Sequence, residues 1–390
     1  MKKYARRQPG IMGLVIRILP AILIGLIYIF EMYTITVQGE GDSSLPPLFG
    51  NFTANRALLE NEQGGEAFAF AVVGDTKSIG TFERIAVELR KMPLDFAFLL
   101  GDCSYGGTED DHRYFRAECH DEYALPFPVF YVVGNHDVSP GDFPIKRFEE
   151  VYGPSNFSFE YRQCLFIVLR ILNEPFTNNE SLDFLAGFRD VDLSRYRHTF
   201  VFFHIPPPIS PTFKARTFEG AEAFMELFDR LGIEYVFAGD YHGYLQSKRG
   251  RTTYIITGGG GAALVERPGE ALHHAITVYV TPKSVDTQIV SVPGVKETQD
   301  HLERIAITDA WPWLRQNTTV AVGLNMLGAI LFVLSIWWFL RHVGQTGERS
   351  AVDRDASDGL MPGYAGAGGP PLMMSLPEQI RNRMNRKTSA

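Results

Sequence analysis

The chain has 390 residues, which is enough for one large domain with additional segments. Its hydrophobic content of 45% is ordinary for a globular protein, and its formal net charge is −8 at pH 7. This acidic balance, together with the lack of a basic stripe interleaved with aromatic residues, argues against a nucleic acid as a partner.

Residues 11–33 form the first strongly apolar segment, and Arg17 is the only charged residue between Ile11 and Phe30. About 20 apolar residues of helix cross a bilayer, so the segment is predicted to be a transmembrane helix. The alternative is a cleaved signal peptide, but the apolar core is long for one and no clear A-x-A site follows.

Residues 319–340 form a second apolar segment that contains no charged residue. Interfacial aromatic residues bracket it: Trp311, Trp313, Trp337 and Trp338. Positive charges lie outside both segments, at Lys2, Lys3, Arg6, Arg7, Arg341 and Arg349. The positive-inside rule therefore predicts an integral membrane protein with two spans, both termini in the cytoplasm and the middle domain outside it, facing a periplasmic, extracellular or lumenal space.

Between these segments, five apolar strand-like runs each end in polar residues. The runs lead to Gly74-Asp75, Gly101-Asp102, Gly134-Asn135-His136-Asp137, His204, and Gly239-Asp240-Tyr241-His242. Open α/β sheets build their sites at the carboxyl ends of strands, so these side chains are expected to converge. Carboxylate, amide and imidazole ligands together are typical of a pair of divalent metal ions.

The order and content of these motifs resemble the calcineurin-like metallophosphoesterase family, whose pattern runs D-x-H, GD, GNH-D/E, a lone H, then GHxH. The resemblance covers roughly residues 67–292, and Asn156-Phe157-Ser158-Phe159 and His204-Ile205-Pro206-Pro207 extend it. It implies an α/β fold in which two mixed sheets form a four-layer α-β-β-α sandwich. It also implies a metal-dependent phosphoric ester hydrolase.

The resemblance also assigns roles within the site. Asp102 would bridge two metal ions, Asp75 and His242 would bind the first, and the second would be bound by Asn135, His204 and Asp240. His136 would give a proton to the leaving oxygen. Asp137 is expected to orient His136 through a hydrogen bond.

Two positions depart from the family pattern, because Lys77 and Asp240 stand where histidines are usual. An ammonium group cannot ligate a metal, so Lys77 is expected either to contact a substrate phosphate or to replace the first metal. Asp240 adds a carboxylate, which leaves the formal sum of the site unchanged, since three carboxylates and one ammonium give −2. The oxygen-rich set moves the expected metal from zinc toward manganese, iron or magnesium.

Several features have structural interpretations. Helices are predicted over residues 78–92 and 217–231, with Gly232 as a stop, and later strands over 253–257, 275–281 and 286–292. The run from Gly258 to Gly261 is either a tight turn or a close backbone approach to a ligand. Three cysteines, Cys103, Cys119 and Cys164, are too few for a disulfide framework, and the favoured interpretation is that they are small buried core residues. A Cys103–Cys119 disulfide is nevertheless permitted outside the cytoplasm. His273 and His274 are expected to be buried rather than metal-binding.

The predicted organisation has seven parts: a cytoplasmic N-terminus (1–10), a transmembrane helix (11–33), a linker (34–65), the phosphoesterase domain (66–295), a juxtamembrane segment (296–318), a transmembrane helix (319–340) and a disordered cytoplasmic tail (341–390). A short helix is conceivable over 377–386.

The sequence thus predicts a membrane-anchored, metal-dependent phosphoesterase that hydrolyses a phosphate mono- or diester outside the cytoplasm by metal-activated water. Its substrate would be a phosphorylated small molecule or a lipid-linked phosphate at the bilayer. The alternative is a non-catalytic binding or signalling protein with an altered metal site. A third possibility is a signalling role for the cytoplasmic tail. The metal identity, one metal or two, and the oligomeric state stay open.

Overall fold

The computed structural model describes residues 11–37, 45–60, 65–77, 80–121, 123–209, 213, 215–295 and 298–357. The chain divides into two compact units, one made of residues 23–328 and one made of residues 1–22 with 329–390. The described part of the second unit consists of the outer parts of the two long helices.

The described residues form ten α-helices and eleven β-strands, together with short 3₁₀ turns at Gly187–Asp190 and Leu193–Arg195 and a π-helical turn at Ala306–Ala310. The helices are Ile11–Val37 (α1), Thr53–Glu60 (α2), Thr81–Leu89 (α3), Glu109–Asp121 (α4), Ile145–Tyr152 (α5), Asn179–Ala186 (α6), Ala221–Leu231 (α7), Thr298–Ile305 (α8), Trp311–Gln316 (α9) and Thr318–Ser357 (α10). The strands are Phe68–Val73 (β1), Phe96–Leu99 (β2), Val129–Tyr131 (β3), Phe157–Tyr161 (β4), Cys164–Val168 (β5), His198–Phe203 (β6), Tyr235–Ala238 (β7), Tyr244–Arg249 (β8), Thr252–Thr257 (β9), His273–Val280 (β10) and Val285–Val292 (β11).

Two sheets form the centre of unit 23–328, which confirms the predicted α/β class with two mixed sheets. The first has the order β11-β10-β1-β2-β3, and the second has the order β4-β5-β6-β7-β9-β8. Strands β1, β2 and β3 are parallel to one another, and so are β5, β6, β7 and β9. The carboxyl ends of the strands that carry the motifs therefore meet at one edge in each sheet.

Three apolar clusters fix the four layers. Aromatic rings from both sheets pack between them, and Phe98 lies stacked on Phe202 with the ring centroids 3.8 Å apart. On the outer face of the first sheet, α3, α4 and α5 bury residues such as Phe115. On the outer face of the second sheet, α6 and α7 bury residues such as Phe228. Alternation of side chains along each strand supplies one face to each cluster, so the sheets are apolar on both sides.

The helix and strand predictions are confirmed in kind but not in extent. Helix α3 is shorter than predicted, and α7 begins at Ala221 and ends before Gly232, whose φ of 69° gives the expected left-handed cap. The three late strands are present as β9, β10 and β11. Strand β8 was not predicted, because its polar outward residues carry little hydrophobic alternation.

The predicted linker 34–65 is partly folded onto the domain, which corrects that assignment. Helix α1 continues to Val37, and α2 follows within the same region. The Asn51 side chain donates to the carbonyl of Tyr131 at 2.7 Å and accepts from its N–H at 2.8 Å. Phe49 is buried in the cluster outside the first sheet. The polar composition with several glycines predicts a loop, but these long-range tertiary contacts override that local preference.

Helices α1 and α10 each contain a stretch long and apolar enough to cross a membrane, at Ile18–Val37 and Thr318–Arg341. Helix α10 continues to Ser357, so the part of the predicted disordered tail between 341 and 357 is helical instead. Extending an existing helix by one residue is easier than nucleating a new one, which explains the continuation. The suggested helix at 377–386 lies outside the described residues. The three cysteines are buried thiols outside any disulfide, as expected for small core residues.

Candidate metal and phosphoester site

The predicted ligands converge at the carboxyl ends of β1, β2, β6 and β7. Oxygen and nitrogen atoms of Asp75, Asp102 and His204, all buried, lie within 4.8 Å of one another. His204 Nε2 lies 3.2 Å from Asp102 Oδ1 and 3.2 Å from Asn135 Oδ1. Asp240 joins the group through its Oδ1, 3.8 Å from His204 Nε2. His242 Nε2 lies 3.4 Å from Asp75 Oδ1.

The backbone of the site is held in an unusual conformation. Seven non-glycine residues among those described have positive φ, and five of them are site residues: Asp75, Lys77, Asp102, Asp240 and His242. Left-handed backbone is uncommon for non-glycine residues and persists only where the surroundings determine it, as at functional sites. The local strain thus coincides with the ends of β1, β2 and β7, where the polar side chains must turn toward a common point.

Glycines allow these loops to approach one another. A Cβ at Gly101, whose φ is 88°, would lie 2.6 Å from Gly134 N and 2.8 Å from His204 Nδ1. A Cβ at Gly258 would lie 2.4 Å from the N atom of His242 and 2.8 Å from Asp75 Oδ2. Of the two interpretations of the glycine run, close backbone approach is the one that the structure supports, and the approach is to the ligand loops themselves.

Asp102 is at the centre of the cluster. Its Oδ1 accepts the backbone N–H of His136 at 2.9 Å, and its Oδ2 accepts a hydrogen bond from Lys77 Nζ at 2.8 Å. Burial acts to raise the pKa of Asp102, but His204 and Lys77 outweigh it and hold the pKa well below its usual value. Asp102 is therefore a carboxylate with both oxygens directed into the site, as a bridging ligand requires.

The orientation of the His204 ring suits metal binding once a cation replaces the Nε2 proton. Its Nδ1 lies 2.6 Å from the carbonyl oxygen of Leu100 and donates to it, which leaves Nε2 facing the carboxylates. Burial acts to lower the pKa of His204, but the carboxylates of Asp102, Asp75 and Asp240 raise it to about 10. The carboxylates thus create a strongly negative potential around Nε2, which is typical of a cation site.

Two further carboxylates complete the negative field. Burial raises the pKa of Asp240, although His204 and Arg216 oppose the rise. Asp75 Oδ2 accepts the backbone N–H of Asp240 at 2.9 Å, while the buried Asp75 Oδ1 accepts no hydrogen bond. A buried carboxylate oxygen that has the His242 ring 3.4 Å away and two other carboxylates nearby fits a divalent cation.

The position of Lys77 affects how many metal cations the site can hold. Its ammonium group contacts the Asp102 oxygen that a second cation would share, and only 12% of the side chain is exposed. The donors present therefore fit one cation at Asp75, Asp102 and His204 without change, with Asn135, Asp240 and His242 available around them. A second cation would compete with the Lys77 ammonium for Asp102.

Asp137 has a role different from the predicted one. Its Oδ2 accepts the N–H groups of Asp102 and Gly134 at 2.7 Å, and its Oδ1 accepts that of Ser104 at 2.9 Å. Among the described residues no hydrogen bond joins it to the His136 ring, so the predicted orientation of His136 is wrong. A buried carboxylate that accepts three backbone N–H groups instead ties the loop after β2 to the loop after β3.

His136 lies beside the cluster and is partly exposed. Its side chain is 46% exposed, and Nε2 lies 3.9 Å from Asp102 Oδ2. It lines a cleft of about 690 Å³ together with Lys77 and His242. The ring is thus beside the cluster without being enclosed by it.

Sequence reasoning missed Arg216, whose Nη1 lies 3.5 Å from Asp240 Oδ1. It precedes α7 in a segment without periodicity or motif, so no sequence signal would have found it. His274 is buried, with Nε2 2.8 Å from Thr257 Oγ1, which confirms its structural assignment. His273 is half-buried and lines the cleft, so burial describes only part of its environment.

Comparison with known proteins agrees with this geometry. Residues 68–244 match the family model of the calcineurin-like phosphoesterases. No curated protein sequence matches the chain.

Solved structures with similarity to the chain include three from eukaryotes. GAP50, the anchor in the inner membrane complex of Plasmodium, is 13% identical with a TM-score of 0.43, covering 62% of this chain and 95% of its own. A dimetal phosphatase from Danio rerio is 13% identical with a TM-score of 0.46, covering 58% of this chain and 97% of its own. Purple acid phosphatase PPD1 from yellow lupin is 16% identical with a TM-score of 0.44, covering 62% of this chain and 55% of its own.

Proposed function

We propose that the calcineurin-like phosphoesterase domain formed by residues 68–244 and the strands that follow it is a metal-dependent hydrolase of phosphate esters. The observation that carries the proposal is the buried cluster of Asp75, Asp102 and His204 beside the exposed ring of His136. The carboxylate-rich donors favour manganese, iron or magnesium over zinc. Bound divalent cations would polarise the phosphoryl oxygens and acidify a water molecule.

The chain's own residues supply the remaining steps. The His136 ring faces the cleft and gives a proton to the leaving oxygen. The Asp102 backbone and the loop that carries His136 are held together by Asp137, so the distance between the proton donor and the cation site is fixed. The Lys77 ammonium, neutralised by Asp102 in the free protein, is available to an anionic phosphoryl group as a point charge.

The His136→Ala variant tests this function. It should keep its metal, because His136 is not a ligand, and turn over roughly 10²–10⁴-fold more slowly, the range typical of a lost general acid. Metal analysis and hydrolysis of p-nitrophenyl phosphate and bis(p-nitrophenyl) phosphate by the full chain measure both properties. His120→Ala is the matched control, since it removes an exposed histidine on α4. Unchanged turnover in His136→Ala would remove the assigned role.

The non-catalytic alternative has one observation in its favour. The Lys77 ammonium occupies the Asp102 oxygen that a second metal would share, so a site with one metal or none would still bind a phosphorylated ligand. Full-length protein that binds phosphate, contains no metal after purification and hydrolyses neither generic ester would establish this function instead.

The two apolar stretches of α1 and α10 support membrane anchoring. We propose that both termini are cytoplasmic and that the phosphoesterase domain acts outside the cytoplasm, because the positive charges cluster at the termini. Reporters fused at Glu62 and after Gly344 should then report opposite sides of the membrane. Reports from the same side would contradict the two-span arrangement.

A further inference from the structure

The cleft beside the metal-ligand cluster is closed by a helix that lies outside the two sheets. The cleft is lined by Lys77, His136 and His242. It is also lined by His273 at the start of β10 and His301 on α8. Helix α8 belongs to the segment between the last strand and the apolar helix α10, so this juxtamembrane segment contributes directly to the cleft.

Specific contacts hold α8 in this position. Just before it, the Thr81 hydroxyl donates to the carbonyl of Val295 at 3.0 Å and accepts the Val295 N–H at 2.9 Å. Within it, the Arg304 guanidinium lies 4.2 Å from the ring centroid of Tyr105, a cation–π contact with the loop that follows Asp102. The wall that carries His301 is thus attached to the loop that carries the central ligand.

The segment after α8 is attached to the end of α1. Ala306 and Ile307 are buried in a cluster with Val37 and Tyr114, and Phe30 packs against the same cluster. Residues 306–310 form a π-helical turn that continues α8 toward α9. The cleft is therefore held at a fixed position relative to the inner parts of the apolar helices within unit 23–328.

His301 is free to bind a ligand. Within the described part of the chain, no hydrogen bond or ion pair engages its ring, although the ring lines the cleft. An imidazole provides an N–H donor, and the same cleft is lined by Lys77 and His136, which contact Asp102 of the cation site where a phosphoryl group would lie. Its position suits an oxygen of the substrate beyond the reacting phosphate.

A second cavity lies along the same segment and is almost entirely apolar. Its volume is about 430 Å³, and its walls include Phe30, Ile305, Trp313 and Leu324. The polar residues in its walls are Glu31, Thr34, Asp309 and Asn325, and Glu31 accepts a hydrogen bond from Asn325 Nδ2 at 2.7 Å. His301 and Ile305 are one helical turn apart, about 6 Å along the axis. Helix α8 therefore lines the cleft with His301 and the apolar cavity with Ile305, one turn later.

We infer that the substrate of this site is a phosphorylated amphiphile of the bilayer, whose head group occupies the cleft with His301 and whose acyl chain occupies the apolar cavity. The inference rests on the proposed function and names its substrate class. His301 is then a specificity residue that binds the head group, and the juxtamembrane segment is part of the substrate site. A soluble phosphate ester would use the cation site without the apolar cavity.

The test compares two esters of the same chemistry on the full chain. Phosphatidic acid in phosphatidylcholine vesicles is paired with p-nitrophenyl phosphate, and phosphatidylglycerol with bis(p-nitrophenyl) phosphate. The His301→Ala variant should lower the ratio of kcat/KM for the lipid to kcat/KM for the soluble ester about tenfold, through KM more than kcat, because one hydrogen bond to a lipid oxygen beyond the reacting phosphate is lost. His301→Gln, which keeps a donor, should restore part of the ratio.

His120→Ala again serves as the matched histidine control, and metal content together with thermal unfolding confirms that each variant folds. An unchanged ratio in His301→Ala, or a parent that prefers the soluble ester, would overturn the inference. If the parent hydrolyses neither class, native mass spectrometry of the full chain counts bound phosphatidic acid against phosphatidylcholine. If the parent retains phosphatidic acid and the His301 variant does not, the lipid site is upheld and the hydrolytic function is wrong. If parent and variant retain the two lipids equally, the lipid site and the hydrolytic function are both wrong.

Discussion

The Asp102→Asn variant should lose most of its bound metal and essentially all hydrolysis. Asp102 presents one oxygen to His204 and the other to Lys77, and it is buried, so no neighbouring carboxylate can take its place. Asparagine tolerates the left-handed backbone at this position, where φ is 54°, whereas alanine adds strain to the chemical loss. Metal stoichiometry and turnover of both variants separate the two effects.

Removing this carboxylate also leaves a cation without its partner. The Lys77 ammonium is largely buried and would face an amide instead of a charge, which destabilises the fold as well as the site. Asp95→Asn is the matched control, because Asp95 is a mostly buried carboxylate that accepts from Ala69 N at 2.9 Å at the start of β2, the opposite end of the strand from Asp102. A metal-free Asp95→Asn protein, or an Asp102→Asn protein that keeps its metal, would contradict the central role of Asp102.

Much of the site could be predicted because the ligands follow apolar strands directly. A strand that is buried on both faces has an unmistakable composition, and the residue after it must lie at the sheet edge. The positions of Asp75, Asp102, His204 and Asp240 follow from that rule alone. Their mutual distances do not, since they depend on sheet order and on left-handed backbone at the strand ends.

The parts that could not be predicted depend on contacts between distant segments. Asp137 accepts three backbone hydrogen bonds from two loops, and only the folded chain shows that none of them involves the ring next to it in sequence. Arg216 lies against Asp240 from a segment without a recognisable pattern. The contribution of α8 to the cleft depends on a hydrogen bond between Thr81 and Val295, which are 214 positions apart. Such pairings carry no local signal.

The folded site also changes the interpretation of the two substituted positions. Lys77 and Asp240 balance each other in formal charge, but they are not paired directly. Lys77 Nζ contacts Asp102 at 2.8 Å, Asp102 contacts His204 at 3.2 Å, and His204 lies 3.8 Å from Asp240. Any compensation between the two positions is therefore transmitted through the central ligands, and it is expected to appear as a non-additive effect.

The Lys77→His/Asp240→His double variant should bind two metal ions and prefer zinc more than the parent does. Lys77→His frees the Asp102 oxygen and adds a nitrogen ligand, while Asp240→His replaces an oxygen ligand by nitrogen and keeps the formal sum at −2. Histidine is among the residues that tolerate left-handed backbone, and both positions have it, with φ of 50° and 58°.

The single variants should differ from the double. Lys77→Ala should tighten cation binding but weaken the binding of an anionic phosphate, and Asp240→Asn should do the reverse. Each single histidine variant should be worse than the double, whereas Lys91→Ala, which removes an exposed lysine paired with Glu88, should match the parent. Metal stoichiometry, zinc against manganese preference and turnover decide the matter, and strictly additive effects of the two substitutions would mean that Lys77 and Asp240 act independently.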